Sequence, residues 1–239
     1  MKSVIAAVTG TYHNFKQLPC QDAVFSMPHA AVLCDGAGST EHSEMISDAI
    51  GWHFVNSFND EFDYWYSLNK EELQAGIYRK AAELTKTYLD MQADCTFLAF
   101  AEKNGRNFLL HVGDGFVFGI DDEEAKVLSF PENGKEIHTT YFLSSRNYKK
   151  HIRILRDVPA DYRTLILCSD GASEVLYNRK ENKCAKAVRI MSSWMDSDDI
   201  TKVTDKLNDS LDEVFRLQSH DDMSVCLIRR EPVPTETEE

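Results

Sequence analysis

The segment AAVLCDGAGS, residues 30–39, is an apolar run that ends in an Asp-Gly pair, and this pattern occurs three times in the chain. The other two examples are LLHVGDGFVF (109–118) and TLILCSDGAS (164–173). Short apolar runs bounded by glycine are typical of buried strands. Asp35, Asp114 and Asp170 therefore stand where strands end, and a carboxylate there is costly unless it is paired, hydrogen-bonded or bound to a metal.

Two more strand-like runs have acids at their edges: Asp22 in CQDAVF, and Asp221 with Asp222 in SHDDMSVCLI. No lysine or arginine stands beside the Asp-Gly turns, so a hard divalent cation such as Mg²⁺ or Mn²⁺ is one candidate counter-charge. Glycine also leaves its carbonyl oxygen accessible as a further ligand. The alternative is a set of independent Asp-Gly turns. The residues alone leave both interpretations open.

The order of the elements indicates the fold class. Strand-like patterns cover residues 3–10, 22–27, 30–36, 95–103, 107–120, 126–130, 139–145, 151–156, 164–171 and 223–230, with Asn104-Gly105 as a hairpin turn. Helical periodicity begins near residue 39 and returns over 70–91, 183–195 and 198–217. Strands and helices do not alternate regularly. The sequence therefore predicts an α+β fold with two antiparallel sheets packed together and helix pairs outside.

Composition narrows the function classes. The 239 residues include 26 basic and 39 acidic side chains, a net charge of −13 that argues against binding to nucleic acids or anionic membranes. No apolar run is long enough to span a membrane. The six cysteines are scattered without a CxxC pair, which argues against zinc and favours reduced thiols in the cytoplasm. We expect one domain over 1–230 and an acidic disordered tail over 231–239.

Taken in order, the segments CQDA, VLCDGAGS, DCTFLAF, HVGDGFVF, LILCSDGAS and DDMSVCLI resemble the successive motifs of the protein phosphatase 2C family. The resemblance covers about residues 10 to 230 and suggests a compact bacterial-type member. It implies a central antiparallel β-sandwich flanked by pairs of helices, in four layers (α-β-β-α). It also implies a metal-dependent phosphatase that removes phosphate from phosphoserine and phosphothreonine in proteins by attack of a metal-activated water.

The resemblance assigns roles to individual residues. Asp22 resembles the acid of the first motif, and Asp35 with the Gly36 carbonyl resembles a pair of metal ligands. Asp170 and Asp221 resemble the ligands of the two later motifs. We therefore expect Asp35, Asp170 and Asp221 to converge on one metal cluster, with Asp22 close by. The implied cofactors are two Mn²⁺ or Mg²⁺ ions, and the implied partners are a phosphorylated protein substrate and a cognate serine/threonine kinase.

Three further positions match the family's motifs to different degrees. Asp114 matches a family acid that is associated with a third, weaker metal, so we expect it at the edge of the cluster. Asp222 stands where the family usually has asparagine. Thr96 matches a segment that enters a core strand, so a structural role is expected for it.

The chain also departs from the pattern of the better-known eukaryotic members. Their phosphate-gripping arginine is missing from TYHNFKQLPCQD (11–22), Ala37 occupies the position of a motif histidine, and Gly115 replaces a serine. His13 and His42 are candidates to replace the lost groups. We predict that His13, at the end of the first strand-like run, acts as a general acid or binds phosphate.

These departures keep two alternatives open. One is a pseudophosphatase that binds a partner without turnover, and the other is a metal-stabilised structural or sensor module. Only 55 residues separate Asp114 from Asp170, fewer than is usual for the family. The substrate-contacting flap between those motifs is therefore expected to be reduced, and the family's substrate preferences are not expected to transfer.

Overall fold

The computed structural model describes residues 1–133 and 140–231, which form twelve strands, eight α-helices and one short 3₁₀-helix. The strands are β1 (Lys2–Val8), β2 (Asp22–Met27), β3 (Ala30–Asp35), β4 (Phe97–Lys103), β5 (Arg106–Val112), β6 (Phe116–Ile120), β7 (Ala125–Ser129), β8 (Arg153–Arg156), β9 (Thr164–Cys168), β10 (Tyr177–Asn178), β11 (Lys183–Cys184) and β12 (Met223–Arg229). The α-helices are α1 (Thr11–Lys16), α2 (Ser43–Asp60), α3 (Phe62–Ser67), α4 (Lys70–Leu89), α5 (Tyr148–His151), α6 (Asp170–Leu176), α7 (Lys186–Trp194) and α8 (Ile200–Glu213). The 3₁₀-helix is Phe215–Leu217.

Ten of the strands form two five-stranded antiparallel sheets. The strand order is β1-β12-β9-β6-β7 in the first sheet and β2-β3-β4-β5-β8 in the second, while β10 and β11 form a separate ribbon. The first sheet brings the two ends of the chain together, because β1 pairs with β12 along their whole length. The predicted α+β fold with a central antiparallel sandwich is confirmed.

Three apolar cores separate four layers. The inner core between the sheets contains Leu33, Phe100 and Leu167. An outer core lies between the second sheet and helices α2 to α4, where Val32 meets Phe54 among other residues. The third core lies between the first sheet and helices α6 to α8. Val32 and Leu33 are neighbours that enter different cores, as expected when successive side chains of a strand point to opposite faces.

Several local predictions agree with the structure. Asn104 and Gly105 form the turn between β4 and β5, both with positive φ (54° and 76°), as a two-residue hairpin requires. The helix predicted over residues 70–91 is α4. It begins with a capping box in which Asn69 accepts a hydrogen bond from the backbone N–H of Glu72 and the Glu72 carboxylate accepts one from Asn69.

Other local predictions are wrong. The strand expected over 139–145 is absent from its described part, 140–145, which forms a single bridge and turns. Its backbone bonds instead to another loop: the N–H of Leu143 donates to Cys95, and the N–H of Ser144 donates to Ala93. The helix expected over 183–195 starts only at Lys186, after β11. The helix expected over 198–217 ends at Glu213 and is followed by the 3₁₀-helix.

The predicted disordered tail over residues 231–239, apart from Glu231, lies outside the described residues. The Glu231 carboxylate accepts a hydrogen bond of 2.9 Å from the N-terminal amine. All six cysteines have free thiols. Within the described ranges, none of the helices has the length and apolar character needed to cross a bilayer.

Candidate metal centre and active site

Strand register brings the predicted acids to one end of the sandwich. Asp22 pairs directly with Asp35 where β2 begins and β3 ends. In the facing sheet, Cys168 pairs with both Phe116 and Val225. Asp114 precedes Phe116, Asp170 follows Cys168 and Asp221 precedes Val225, so all three emerge at the same edge. The topology therefore collects acids that are up to about 200 residues apart in the sequence.

The carboxylate oxygens of Asp35, Asp114 and Asp170 lie within 4.8 Å of one another. They line a cavity of about 410 Å³ that Asp221 and Gly36 also line. Asp221 is solvent-exposed, and its Oδ1 accepts a hydrogen bond of 2.9 Å from the N–H of Asp222. The structure thus brings Asp35, Asp170 and Asp221 to one cavity. Asp114 lies inside the cluster, whereas the sequence placed it at the edge.

Burial and mutual repulsion disfavour the charged forms of these acids. Burial, reinforced by the charges of Asp114, Asp221 and Asp22, raises the pKa of Asp170 to about 8. Burial and the neighbouring carboxylates likewise raise the pKa of Asp35 well above its ordinary value. Burial raises the pKa of Asp114 as well. A group of acids with these properties has a strong electrostatic need for added positive charge.

Asp22 lies beneath the cluster and shows this need most clearly. It is 8% exposed, and neither of its carboxylate oxygens has a hydrogen-bond partner among the described residues. Burial raises the pKa of Asp22 to about 7, although the nearby side chains of Ser224 and Ser169 act to lower it. An unpartnered buried carboxylate is rare in native proteins and calls for an explanation such as an ion. Asp22 does not line the cavity, but it is the strand partner of Asp35, which does.

The donor set fits hard divalent cations. Among the described residues, no ion pair within 4 Å joins a lysine or arginine to any of the five acids (Asp22, Asp35, Asp114, Asp170 and Asp221). Gly36 lines the same cavity, and no backbone N–H in 1–133 or 140–231 donates to its carbonyl oxygen. Carboxylate and carbonyl oxygens are the ligands that Mg²⁺ and Mn²⁺ prefer. The residues present therefore suit such ions.

Two glycines allow the chain segments to meet at this edge. A Cβ at Gly171 would lie 2.2 Å from the carbonyl oxygen of Asp222, so only glycine lets α6 start against that loop. Gly113 has a φ of +101°, and a Cβ there would lie 2.6 Å from the methyl group of Thr96. Thr96 in turn accepts a hydrogen bond at Oγ1 from the N–H of Asp35, which agrees with the structural role expected for it.

His13 reaches the cavity by a route that the sequence did not predict. It lies on the short helix α1, whereas we expected it at the end of a strand. Its side chain is 10% exposed, the residue lines the cavity, and its Nδ1 lies 2.8 Å from Oδ2 of Asp222. The other candidate, His42, lies at the start of α2 with a side chain 63% exposed and beside Glu41 and Glu44. It does not line the cavity.

Sequence reasoning missed the function of Asp222. Its carboxylate is buried and accepts hydrogen bonds from the backbone N–H groups of Gly10 (2.7 Å) and Gln21 (2.6 Å), in addition to its contact with His13. The acid therefore connects α1 and the start of β2 to the loop before β12. Gln21 also lines the cavity. The one available signal was the presence of aspartate where the family usually has asparagine.

Comparisons with known proteins agree with this geometry. A family model described as protein phosphatase 2C matches residues 9–214. Among curated proteins, no sequence matches the chain. A bacterial serine phosphatase has a similar structure, with a TM-score of 0.69 and 14% identity over 98% of this chain and 100% of that one.

Two other solved structures are similar to the chain over nearly their whole length. The catalytic domain of the serine/threonine phosphatase PstP, in complex with two manganese ions, has a TM-score of 0.65 and 15% identity over 95% of this chain and 96% of its own. Stp1 from Staphylococcus aureus has a TM-score of 0.63 and 16% identity over 97% and 95%. Identities this low support the shared fold. With a family model that spans most of the sequence, the chain belongs to the protein phosphatase 2C family.

Proposed function

We propose that this chain is a Mn²⁺- or Mg²⁺-dependent protein serine/threonine phosphatase. The observation that carries the proposal is the cluster of Asp35, Asp114 and Asp170, whose oxygens lie within 4.8 Å of one another without a cationic side chain beside them. Family membership supports the reaction class. The manganese ions in the PstP structure support the choice of cofactor.

In this proposal, Asp35, Asp170, Asp221 and the Gly36 carbonyl hold two ions, and Asp114 offers a site for a third. Bound divalent cations supply positive charge for phosphate oxygens and make water more acidic. The protein side chains hold the ions and position the phosphate, and the buried Asp22 adds negative charge from below. Hydrolysis of a phosphomonoester requires mainly positioning and charge neutralisation from the protein.

His13 completes the proposed mechanism. Nδ1–H donates to the Asp222 carboxylate, an assignment made from the geometry. This contact fixes the ring so that Nε2 is the nitrogen available to the cavity. A proton on Nε2 is then placed to move to the leaving serine or threonine oxygen. His13 and Asp222 would together compensate for Ala37, which stands where the family's motif histidine is expected.

The proposal also includes the wider assignments from the sequence. Residues 1–230 act as one catalytic domain, the substrate is a phosphorylated protein, and a cognate serine/threonine kinase supplies that substrate. A cytoplasmic location and the absence of nucleic-acid and membrane partners remain predictions.

The test is hydrolysis of a phosphoserine peptide and of p-nitrophenyl phosphate by the purified chain, with Mn²⁺, with Mg²⁺ and with excess EDTA. We expect turnover with either metal and none with EDTA. Full activity in EDTA contradicts the metal-dependent mechanism. Binding of the phosphopeptide without turnover in Mn²⁺ supports the pseudophosphatase, which Ala37 and the missing arginine favour.

A further inference from the structure

A second groove lies beside the catalytic cavity and has no part in the mechanism described above. It has a volume of about 460 Å³, and its lining includes Glu174, Tyr177, Arg179, Lys180 and Gln218. We call it the α6 groove. It is formed by α6, by the turn between β10 and β11, and by the segment after the 3₁₀-helix.

The α6 groove and the catalytic cavity are bordered by the same two segments. Helix α6 begins with Asp170 in the cavity, and Glu174 in the groove follows about one helical turn later, roughly 6 Å along the axis. Gln218 in the groove is followed three residues later by Asp221 in the cavity. Along α6, the catalytic cavity and the α6 groove are therefore separated by only about one helical turn.

Arg179 is an exposed arginine whose guanidinium group has no polar partner in the part of the chain that the structure describes. Nine of the eleven arginines form hydrogen bonds or ion pairs through their guanidinium groups, but Arg179 and Arg146 form neither with any residue in 1–133 or 140–231. The guanidinium carbon of Arg179 lies instead 5.8 Å from the centre of the Phe116 ring. That ring packs on Tyr177, with ring centres 4.9 Å apart. The aromatic pair contacts the guanidinium, while its N–H groups donate to no acceptor among the described residues.

The charges in the groove suit an anion. Lys180 is also exposed and forms no ion pair within the described ranges, so two free cations face one carboxylate, that of Glu174. This local excess of positive charge is unusual on a chain with a net charge of −13.

We propose that Arg179 and Lys180 bind an acidic side chain of the phosphoprotein substrate, two or three residues away from the phosphorylated residue. An extended peptide advances about 3.3 Å per residue, so two residues cover the one helical turn that separates the cavity from the groove. The free N–H groups of a guanidinium match the two oxygens of a carboxylate. This inference rests on the proposed phosphatase function and specifies its substrate class.

The test compares two phosphoserine peptides that differ only at the second and third residues on either side of the phosphoserine, which are aspartate in one and asparagine in the other. With Mn²⁺, we expect the wild-type enzyme to prefer the acidic peptide by about fivefold in kcat/KM, through a lower KM. Arg179→Glu removes or reverses the preference, and added salt weakens it. Hydrolysis of p-nitrophenyl phosphate, which has no flanking residues, stays unchanged in this variant.

Arg79→Glu on the outer helix α4 makes the same charge change at an exposed arginine of another element and should keep the preference. Equal activity of the wild type on both peptides overturns the proposal. An equal loss on the peptides and on p-nitrophenyl phosphate in Arg179→Glu also overturns it, because Arg179 then acts on the phosphate or the metal centre. If the chain hydrolyses no substrate, the proposed function fails. Fluorescence anisotropy in Mn²⁺ then measures binding of the unconsumed peptides, and it shows separately whether the acidic peptide is preferred.

Discussion

Two regions of this molecule contain buried carboxylates, and the regions differ in whether the fold supplies a positively charged partner. Glu102 on β4 meets Arg230 just after β12, with Nη2 2.6 Å from Oε1 and Nε 3.2 Å from Oε2. The remaining N–H groups of that arginine donate to the carbonyl oxygens of Pro159 and Tyr162. In the region of the Asp cluster, by contrast, neither carboxylate oxygen of Asp22 has a hydrogen-bond partner within the described residues. The fold thus supplies an arginine partner to Glu102 and, within those residues, no lysine or arginine within 4 Å of Asp22 or the cluster.

This difference distinguishes the region that we assign to stability from the region that we assign to function. Both regions carry the cost of removing charge from water. The pair of Glu102 and Arg230 joins the two sheets, so we assign it to stability. The Asp cluster has acids with raised pKa values and no lysine or arginine beside it within the described residues, so we assign it to metal binding and catalysis.

The largest expected effect is on activity at the cluster. Asp170→Asn removes a proposed metal ligand and should lower kcat/KM on a phosphoserine peptide by about 10⁴-fold, as for other residues that act as a unit in catalysis. The fold should survive, because the substitution also relieves carboxylate repulsion. Far-ultraviolet circular dichroism and steady-state kinetics measure both properties. Asp209→Asn on the exposed face of α8 is the control and should leave activity unchanged; wild-type activity in Asp170→Asn refutes the assignment.

The second effect is on stability at the internal pair. Glu102→Gln leaves the buried guanidinium of Arg230 without its counter-charge and should lower the free energy of unfolding by about 3–5 kcal/mol. The double variant Glu102→Gln/Arg230→Met should recover part of this loss. Urea denaturation at constant Mn²⁺ measures it. The specific activity of the folded protein should stay near that of the wild type, and an activity loss as large as that of Asp170→Asn would erase the distinction between the two regions.

A third buried acid, Asp222, is intermediate because its partner is a histidine. If Nε2 of His13 protonates the leaving oxygen, His13→Ala should lower kcat on phosphoserine peptides by about 10²-fold. The loss should be much smaller on aryl phosphates, whose leaving groups need little protonation. Kinetics on both substrates, with His53→Ala on α2 as the control, decide the matter. An equal loss on both substrates indicates a phosphate-binding role, and no loss on either removes His13 from the mechanism.

The smallest effect concerns the metal-free protein. Because burial raises the pKa of Asp22 to about 7, the folded state favours its protonated form, and this contribution is complete below about pH 4 and lost as pH rises through 7. Asp22→Asn should therefore raise the free energy of unfolding in EDTA by about 1–3 kcal/mol at pH 8 and change it little at pH 4. Urea denaturation at both pH values measures this. A destabilised Asp22→Asn protein at pH 8 would mean that Asp22 already has a partner in the fold.

The residues alone left open whether the Asp-Gly segments form a metal cluster or independent turns, and the expected grouping of Asp35, Asp170 and Asp221 came from the resemblance to the family. The role of Asp222 was not predictable, because its donors, Gly10 and Gln21, are about 200 residues away in the chain. The six-residue helix α1 was missed because it is too short to show a helical period.

The wrong strand over 139–145 has a different cause. Its residues have a strand-like pattern, but the position beside β5 in the sheet is occupied by β8. Leu143 and Ser144 bond instead to the loop that precedes β4. Local patterns describe what a segment can form, and competition for a partner decides what it does form.

The most direct test of the central claim is a calorimetric titration of the metal-free chain with Mn²⁺. We expect two Mn²⁺ ions to bind to the wild type and to folded Glu102→Gln. We expect Asp35→Asn to bind Mn²⁺ at least about tenfold more weakly than the wild type. Wild-type protein that binds no Mn²⁺ in the millimolar range, or Asp35→Asn protein that binds it as tightly as the wild type, would contradict the claim that these unpaired acids form a metal centre.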